Sequence, residues 1–468
     1  MRLAGLALAF AGVLGLAACQ RNTLAGGNAE LALDALKAAP EHGFSAERFP
    51  VRRIEQLLDS GSGRDRAEGT QRLRAALVDY AGALHGRTIP KNAFPADWGL
   101  KAAPYDAEAA LDQALKAGAL RAWLKDLPPP LPAYATLQEA YLRYLKIHAQ
   151  GGWPSVAPIA LAPGAQGPEI TALRQRLAFE DAALGAGAPD APADAGLIRA
   201  VQRFQAAHGL PATGLLDAAT VEQMNVPAES RAAQIRANLE RLRWLPREEP
   251  ATRIDVNTAA QVTDYYVDGR LVLHMLSASG RPGGDETPML ASAVDGIVLN
   301  PPWNVPDTIA QEEILPKGEA YLQRMGFAMK DGRLVQQPGP EAALGLVKFD
   351  FDNPYAVYLH DTPAKAAFAS HQRAVSHGCV RLAQAIPLAK AILARESGWS
   401  PARVDEAIAS GETIRVRLSR TTPVRLIYLT AFPENGRIAF RPDIYGWDAQ
   451  LLRLLDRPPK ARAPGKPA

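Results

Sequence analysis

The sequence predicts an α+β multidomain protein: a helical N-terminal scaffold and a three-helix bundle, followed by a β-rich domain with a lid insertion. Three observations carry this reading. The 468 residues, 47% of them hydrophobic, are enough to bury more than one core. Apolar residues recur at helical spacing from about Asn28 to Val226. From Thr252 onward the pattern shortens to strand-like runs separated by turn residues.

Composition removes several classes. The 52 Lys and Arg nearly cancel the 49 Asp and Glu, leaving +3, so the chain lacks the concentrated positive charge that nucleic-acid binding needs. With only 2 cysteines, at opposite ends of the chain, no disulfide framework is expected.

The first element is "MRLAGLALAFAGVLGLAACQ". A single basic residue, Arg2, precedes an uncharged run from Leu3 to Ala18, shorter than the ~20 residues of a comfortable membrane span. It reads as a secretory signal over residues 1–18. An ordinary cleavage site wants small residues third and first before the cut, whereas Leu16-Ala17-Ala18-Cys19 resembles a bacterial lipobox. That resemblance implies a lipidated Cys19 at the mature N-terminus. With Gln20 and not aspartate following, it implies an exported periplasmic protein anchored to the outer membrane. The plainer alternative is an ordinary export signal.

Residues 28–150 read as a helical scaffold, with Leu73, Leu77, Tyr80 and Leu84 on one face and a break at "LPPPLP", Leu127 to Pro132. His148 is expected to be a helix-end residue. Residues 160–227 form a second helical unit that begins with Ile170, Leu173 and Leu177 on one face. The Ala/Gly/Pro-rich run from Asp181 to Gly196 is expected to loop out of it. Phe204-Gln205, His208-Gly209-Leu210, Thr213-Gly214, Asp217 and Thr220 resemble the three-helix peptidoglycan-binding module. Whether the unit binds or only supports stays open.

A connecting helix follows at 229–246, with Ile235, Leu239 and Leu242 on one face. Its arginines, Arg231, Arg236, Arg241 and Arg243, are expected on a solvated face. Residues 252–443 read as one β-rich catalytic domain, with 305–350 as a lid over a cleft, since so long an interruption between strands is usually functional. Residues 444–468 read as a C-terminal tail.

The chemistry concentrates in "RAVSHGCVRL". A cysteine acts as a nucleophile only as thiolate, and its ordinary pKa near ~8.5 calls for a neighbouring base. "YAVYLHDTP" supplies His360 at a strand end, and Asp361 offers a carbonyl or a carboxylate to orient the ring. Gly378 lets the N–H groups around His377, Gly378 and Cys379 turn toward a developing oxyanion. Arg381 offers a planar fork for a substrate carboxylate. A zinc site of His360, His377 and Cys379 would have no clear fourth ligand. Redox sensing would have no resolving cysteine in the mature fold.

His360-Asp361 followed by Ser376-His377-Gly378-Cys379-Val380-Arg381 resembles the active-site signature of the L,D-transpeptidases, cysteine enzymes that crosslink bacterial peptidoglycan. Gly280-Arg281-Pro282, Thr287-Pro288, "NPPWNVP", "EEILPKG", "VYLHDTP" and "DIYGWD" resemble the large YcbB-type branch, which also carries a scaffold and a peptidoglycan-binding module. The resemblance implies Cys379 as nucleophile, His360 as base and acid, and Asp361 as its orienting partner. It places His377 and Gly378 at the oxyanion turn, and Arg381, Ser376, Trp303 and Tyr358 at the substrate. No cofactor or metal is implied; the partners are peptidoglycan stem peptides and, through Cys19, a membrane. The implied reaction is a 3-3 crosslink made through a thioacyl-enzyme, with loss of a terminal D-alanine. Hydrolysis by the same nucleophile, as in an L,D-carboxypeptidase or a wall-protein-detaching enzyme, stays open. A non-catalytic wall-binding lipoprotein is disfavoured by the intact Cys379/His360 pair.

Overall fold

Helices fill the chain as far as Arg243, and a sheet takes over from Arg253. The computed structural model describes residues 23–185, 188 and 190–456, so the expected signal and Cys19 lie outside the described residues. Helices Gly27–Lys37, Val51–Leu58, Gly63–Leu84, Ala107–Lys116 and Leu120–Asp126 enclose one core, in which Leu73, Leu77, Tyr80 and Leu84 are all buried. Ser62 starts the longest of these helices by accepting a hydrogen bond from the Asp65 N–H, which satisfies a donor the helix itself cannot pair. The proline run ends in helix Pro132–Ala149, whose leading proline stands where no N–H is needed. His148 is exposed in its last turn.

Helices Pro168–Ala178, Ala195–Ala207 and Ala218–Met224 form the second bundle around Ile170, Leu173, Leu177, Val201 and Phe204. Its signature residues hold one turn together. The buried Gln205 amide donates to the Leu215 carbonyl at 2.8 Å and the Thr220 hydroxyl at 3.0 Å, and its oxygen accepts from Gly214 N–H at 2.8 Å. Asp217 caps the next helix by accepting from Thr220 N–H at 2.8 Å. The run expected to loop out, Asp181 to Gly196, is tied down at its two ends. Asp181 is buried and paired with Arg203 at 2.6 Å and Arg437 at 3.2 Å, and Asp194 caps Ala195–Ala207.

The connecting helix, Ala228–Arg243, is not amphipathic in place. Arg231, Arg241 and Arg243, expected in solvent, are 4%, 2% and 5% exposed. The helix is wrapped by Pro132–Ala149, by a late β-hairpin and by a C-terminal helix, so no solvated face remains for them. A buried guanidinium is tolerable only when paired. Arg243 pairs with Glu240 at 2.7 Å, Arg241 with Asp448, and Arg231 donates to Gln223 at 2.8 Å. Arg231 and Arg243 also lie over the Phe440 and Phe44 rings, at 4.6 and 4.3 Å. Arg236 alone stays partly exposed, 2.6 Å from Asp456.

The expected tail is also corrected. Trp447–Leu455 is a helix whose Trp447 and Leu451, spaced i,i+4, share a core with Trp98 and Trp244.

The β domain is a nine-stranded sheet in the order β10-β3-β11-β9-β8-β4-β12-β1-β2. The strands are β1 Arg253–Asn257, β2 Val262–Val267, β3 Arg270–Gly280, β4 Leu290–Leu299, β8 Val347–Phe351, β9 Leu359–His360, β10 Ala374–Ser376, β11 Val380–Leu382 and β12 Ile414–Ile427. Because β2 also pairs with β3, the sheet closes on itself like a barrel. Residues 303–346 build a separate unit on one side. Its strands β5 Trp303–Asn304, β6 Phe327–Lys330 and β7 Arg333–Gln336 pack with helical turns over Val305, Ala310, Ile314, Phe327 and Leu334. The last residues of the expected lid, from Val347, instead belong to β8 of the main sheet. The late hairpin is β13 Ala431–Glu434 with β14 Arg437–Phe440.

Candidate active site

Strand alternation assembles the site. Leu359 on β9, and Val380 and Leu382 on β11, are fully buried in the barrel core. Successive side chains on a strand point to opposite faces, so Tyr358, His360, Cys379 and Arg381 share the other face. The two strands run parallel, with Val380 opposite Leu359 and Arg381 opposite His360. Cys379 therefore sits beside Tyr358 and diagonally from His360, as the two separate sequence motifs required.

His360 is 4% exposed, and its Nδ1 lies 2.5 Å from the Asp361 carbonyl oxygen. A carbonyl only accepts, so Nδ1 carries the proton and Nε2 keeps its lone pair. Of the two orienting groups that Asp361 offered, the backbone carbonyl is the one used. Its carboxylate accepts from Leu346 N–H at 2.9 Å and pairs with Lys365.

The turn before Cys379 is held from below. Gly378 has φ 102°, a conformation that side chains other than glycine rarely adopt. Its carbonyl accepts from the Thr287 hydroxyl at 2.8 Å, and the same oxygen of Thr287 accepts from Gly280 N–H at 2.8 Å. A Cβ on Gly280 would stand 1.8 Å from the Asp285 carbonyl, so no larger residue fits there. Tyr445, from "DIYGWD", fixes the same loop by donating to the Gly280 carbonyl at 2.7 Å. The N–H groups of His377, Gly378 and Cys379 donate to no acceptor among the described residues. Ser376, expected at the substrate, is instead buried and donates to the Cys379 carbonyl at 2.6 Å, because its side chain closes the turn.

Burial sets the charge state. It lowers His360 to about 3, helped by the nearby Arg381 guanidinium and opposed by Asp361. Burial also raises the Cys379 thiol, against the pull of the Tyr358 N–H and phenol, Lys348 and Arg381. The resting pair is thus a neutral imidazole and a neutral thiol. Arg381 is partly exposed and its Nε has no hydrogen-bond partner, which leaves the guanidinium free for an anion.

The 303–346 unit reaches the site at two points. The half-buried Trp303 indole lies near the Tyr358 phenol. Glu313 Oε1 lies 2.6 Å from His377 Nε2 and 3.6 Å from Arg281. Glu313, Thr287, Tyr445 and Lys365 were not singled out from sequence. Three of them lie in motifs that were noticed, "EEILPKG", Thr287-Pro288 and "DIYGWD", but nothing in those strings shows which turn they brace.

Family models match the three parts of the chain. A scaffold domain matches residues 21–140, a "Putative peptidoglycan binding domain" matches 166–224, and the YkuD L,D-transpeptidase catalytic domain matches 251–424. A "Putative L,D-transpeptidase" of Haemophilus influenzae is 35% identical over 237 residues, 46% of this chain and 48% of the relative. The chain thus spans about half the length of that relative. Among solved structures, an L,D-transpeptidase from Mycobacterium smegmatis is 15% identical over 38% of this chain and 58% of its own, with a TM-score of 0.22. One from Stackebrandtia nassauensis is 13% identical over 60% of this chain and 100% of its own, with a TM-score of 0.23.

Proposed function

We propose that this chain, which carries an L,D-transpeptidase catalytic domain behind a scaffold domain and a peptidoglycan-binding domain, crosslinks peptidoglycan through a thioacyl-enzyme on Cys379. The observation that supports this most is the single sheet face shared by Cys379 and an imidazole whose Nε2 is free, beside a turn with three unengaged N–H groups.

His360 Nε2 takes the thiol proton as Cys379 Sγ attacks the carbonyl of the diamino acid at position three of a donor tetrapeptide. The oxyanion forms against the N–H groups of the His377–Cys379 turn. The C–N bond to the terminal D-alanine breaks, His360 returns the proton to the leaving amine, and a thioester remains. The side-chain amine of a neighbouring stem peptide then attacks the thioester, which yields a 3-3 crosslink and regenerates the thiol. Arg381 is assigned to a substrate carboxylate, and Trp303 and Tyr358 to the wall of the donor site. Incubation of the protein with disaccharide-tetrapeptides, read by product mass, tests the reading. Crosslinked dimer supports it; tripeptide monomer alone replaces it with hydrolysis, and no change removes catalysis.

Anchoring through a lipidated Cys19 at the periplasmic face of the outer membrane belongs to the same proposal, on the Leu16-Ala17-Ala18-Cys19 run. Cys19→Ala then releases the protein into the soluble periplasm and abolishes labelling by a fatty-acid probe. Unchanged membrane fractionation removes the anchor.

A further inference from the structure

One short stretch of the scaffold domain packs away from the scaffold's own core and against the catalytic domain. Residues 96–100 lie alongside Met289, which immediately precedes β4, with a single parallel bridge between Trp98 and Met289. Met289 N–H donates to the Asp97 carbonyl at 2.8 Å, and Leu100 N–H donates to the Met289 carbonyl at 2.9 Å. Trp98 is fully buried and anchors the stretch in the central core, its ring centroid 5.7 Å from that of Trp244 and 6.0 Å from that of Trp447. A second contact comes from Tyr355, whose hydroxyl donates to the Ala96 carbonyl at 2.7 Å. Gly99 lets the two contacts coexist. A Cβ there would stand 2.6 Å from the Tyr355 hydroxyl oxygen and 2.9 Å from the Met289 carbonyl oxygen.

Both contacted segments run directly to the catalytic turn. Two residues before Met289 is Thr287, whose hydroxyl donates to the Gly378 carbonyl at 2.8 Å. From Tyr355 the chain passes through Ala356 and Val357 to Tyr358, whose carbonyl accepts from Val380 N–H at 3.1 Å, and on to His360. Gly378 touches both segments: a Cβ on it would meet Val357 Cγ1 at 3.6 Å and the Glu286 carbonyl oxygen at 3.7 Å. Ala356 has φ 53°, a left-handed conformation that a residue with a Cβ rarely adopts. Such a conformation persists where its surroundings over-determine it. Here Asn353 Oδ1 accepts from Tyr355 N–H at 3.1 Å and from Val357 N–H at 3.2 Å, while the scaffold holds the Tyr355 hydroxyl.

We propose that scaffold residues 96–100 act as a clamp that sets the position of the Gly378 turn relative to His360, with Trp98, Gly99 and Tyr355 as positioning residues. N–H groups that must meet a developing oxyanion are effective only when held in place beforehand. The two segments that hold this turn are themselves held together by the scaffold, so the scaffold domain belongs to the catalytic apparatus and is more than a spacer. That role rests on the Cys379 chemistry proposed above, although the contacts do not.

Steady-state turnover of a disaccharide-tetrapeptide by the full chain tests the clamp, with dimer and tripeptide products counted together so that the fate of the acyl-enzyme does not enter. Gly99→Ala wedges the stretch away from both segments. It is expected to lower kcat at least ~10-fold with KM within ~3-fold of wild type, because a small misplacement of reacting groups costs rate more than binding. Tyr355→Phe releases one segment only and is expected to lose about 3-fold in kcat. Leu73→Ala, which opens a cavity in the separate core of the scaffold helices, controls for lost stability and should keep the wild-type kcat. A kcat for Gly99→Ala no lower than that of Leu73→Ala, or a change in KM alone, overturns the clamp. Should Gly99→Ala not fold, Tyr355→Phe is judged by the same comparison. If the wild type turns nothing over, the Cys379 reading fails, and the clamp is read from the pH profile of Cys379 alkylation by iodoacetamide, which needs no substrate. That profile should move toward lower pH in Gly99→Ala as the loosened turn admits water to the buried thiol. A profile that stays in place or moves upward overturns the clamp.

Discussion

His360 donates its Nδ1–H to the carbonyl of Asp361 across 2.5 Å, so the ring is oriented by the backbone of its own neighbour. The Asp361 carboxylate serves the fold, accepting from Leu346 N–H and pairing with Lys365. Asp361→Asn keeps the carbonyl and should leave kcat within about 10-fold of wild type, while His360→Ala should lose at least ~10²-fold, the usual scale for removing a general base. The same Asn variant should lower stability by about 1–3 kcal/mol through the weakened buried bonds. Steady-state rates and urea midpoints on both variants check this. Equal losses of kcat would mean that the carboxylate is the orienting group.

The neutral resting pair makes a prediction about reactivity. With the thiol raised and the imidazole lowered, alkylation of Cys379 by iodoacetamide should accelerate with pH beyond the ordinary thiol range near ~8.5. A preformed thiolate–imidazolium pair would instead give a fast, level rate across acid and neutral pH. Mass spectrometry of the modified protein at a series of pH values distinguishes the two.

The meeting of Cys379 and His360 was legible in the sequence because each motif is local. Cys379 and His360 stand in short strings whose alternation fixes the face they share, and β pairing then brings the strings together. What was illegible depends on what packs outside an element. Arg231, Arg241 and Arg243 look like a solvated stripe until Phe440, Asp448 and Tyr134 arrive from distant segments. Residues 444–468 read as a tail because only the central core gives the spacing of Trp447 and Leu451 a purpose. Ser376 was misplaced for a related reason, since a hydroxyl next to a catalytic turn reads the same whether it faces substrate or closes the turn.

Acid should unfold the protein through its histidines. His42, His208 and His360 are buried, and each is lowered to about 3 by burial. Each therefore favours the neutral form in the fold, and below the unfolded value of 6.5 the unfolded chain binds protons that the native state refuses. Stability from this source is complete above about pH 6.5 and falls as pH drops toward about 3, by at most ~1.4 kcal/mol per pH unit for each histidine. Urea midpoints between pH 7 and pH 4 measure the slope. His42→Gln, which cannot titrate, should flatten it by about one proton; an unchanged slope would remove His42 from the account.

The 303–346 unit is tethered to the His377–Cys379 turn through Glu313, 2.6 Å from His377 and 3.6 Å from Arg281. The pair is open to solvent, with 41% of the Glu313 side chain exposed, so it adds little to global stability, about 0–1 kcal/mol. Its effect should fall on the reaction. Glu313→Ala is expected to cut kcat/KM by about 10-fold with a melting temperature near wild type, and Glu313→Gln, which still accepts a hydrogen bond, should recover most of the loss. A drop in melting temperature that parallels the drop in rate would make the tether a structural contact only.

The last prediction concerns which atom is acylated. A carbapenem presents a strained cyclic amide whose C–N bond opens when a polarisable sulfur attacks its carbonyl, and the resulting thioester stays joined to the opened ring. The resting thiol must first lose its proton to His360 Nε2, the nitrogen that the Asp361 bond leaves free. The three unengaged N–H groups of the His377–Cys379 turn then meet the oxyanion. One added drug mass is expected on the wild-type protein, and a much slower gain on His360→Ala, which lacks the base. None is expected on Cys379→Ser, because the serine hydroxyl is a far weaker acid than the thiol and here has only a burial-weakened imidazole to activate it. Cys379 is the free cysteine among the described residues, so intact-protein mass spectrometry followed by peptide mapping locates the adduct. An adduct that persists on Cys379→Ser, or maps to any other residue, would place the nucleophile elsewhere and detach the turn at Gly378 from the chemistry.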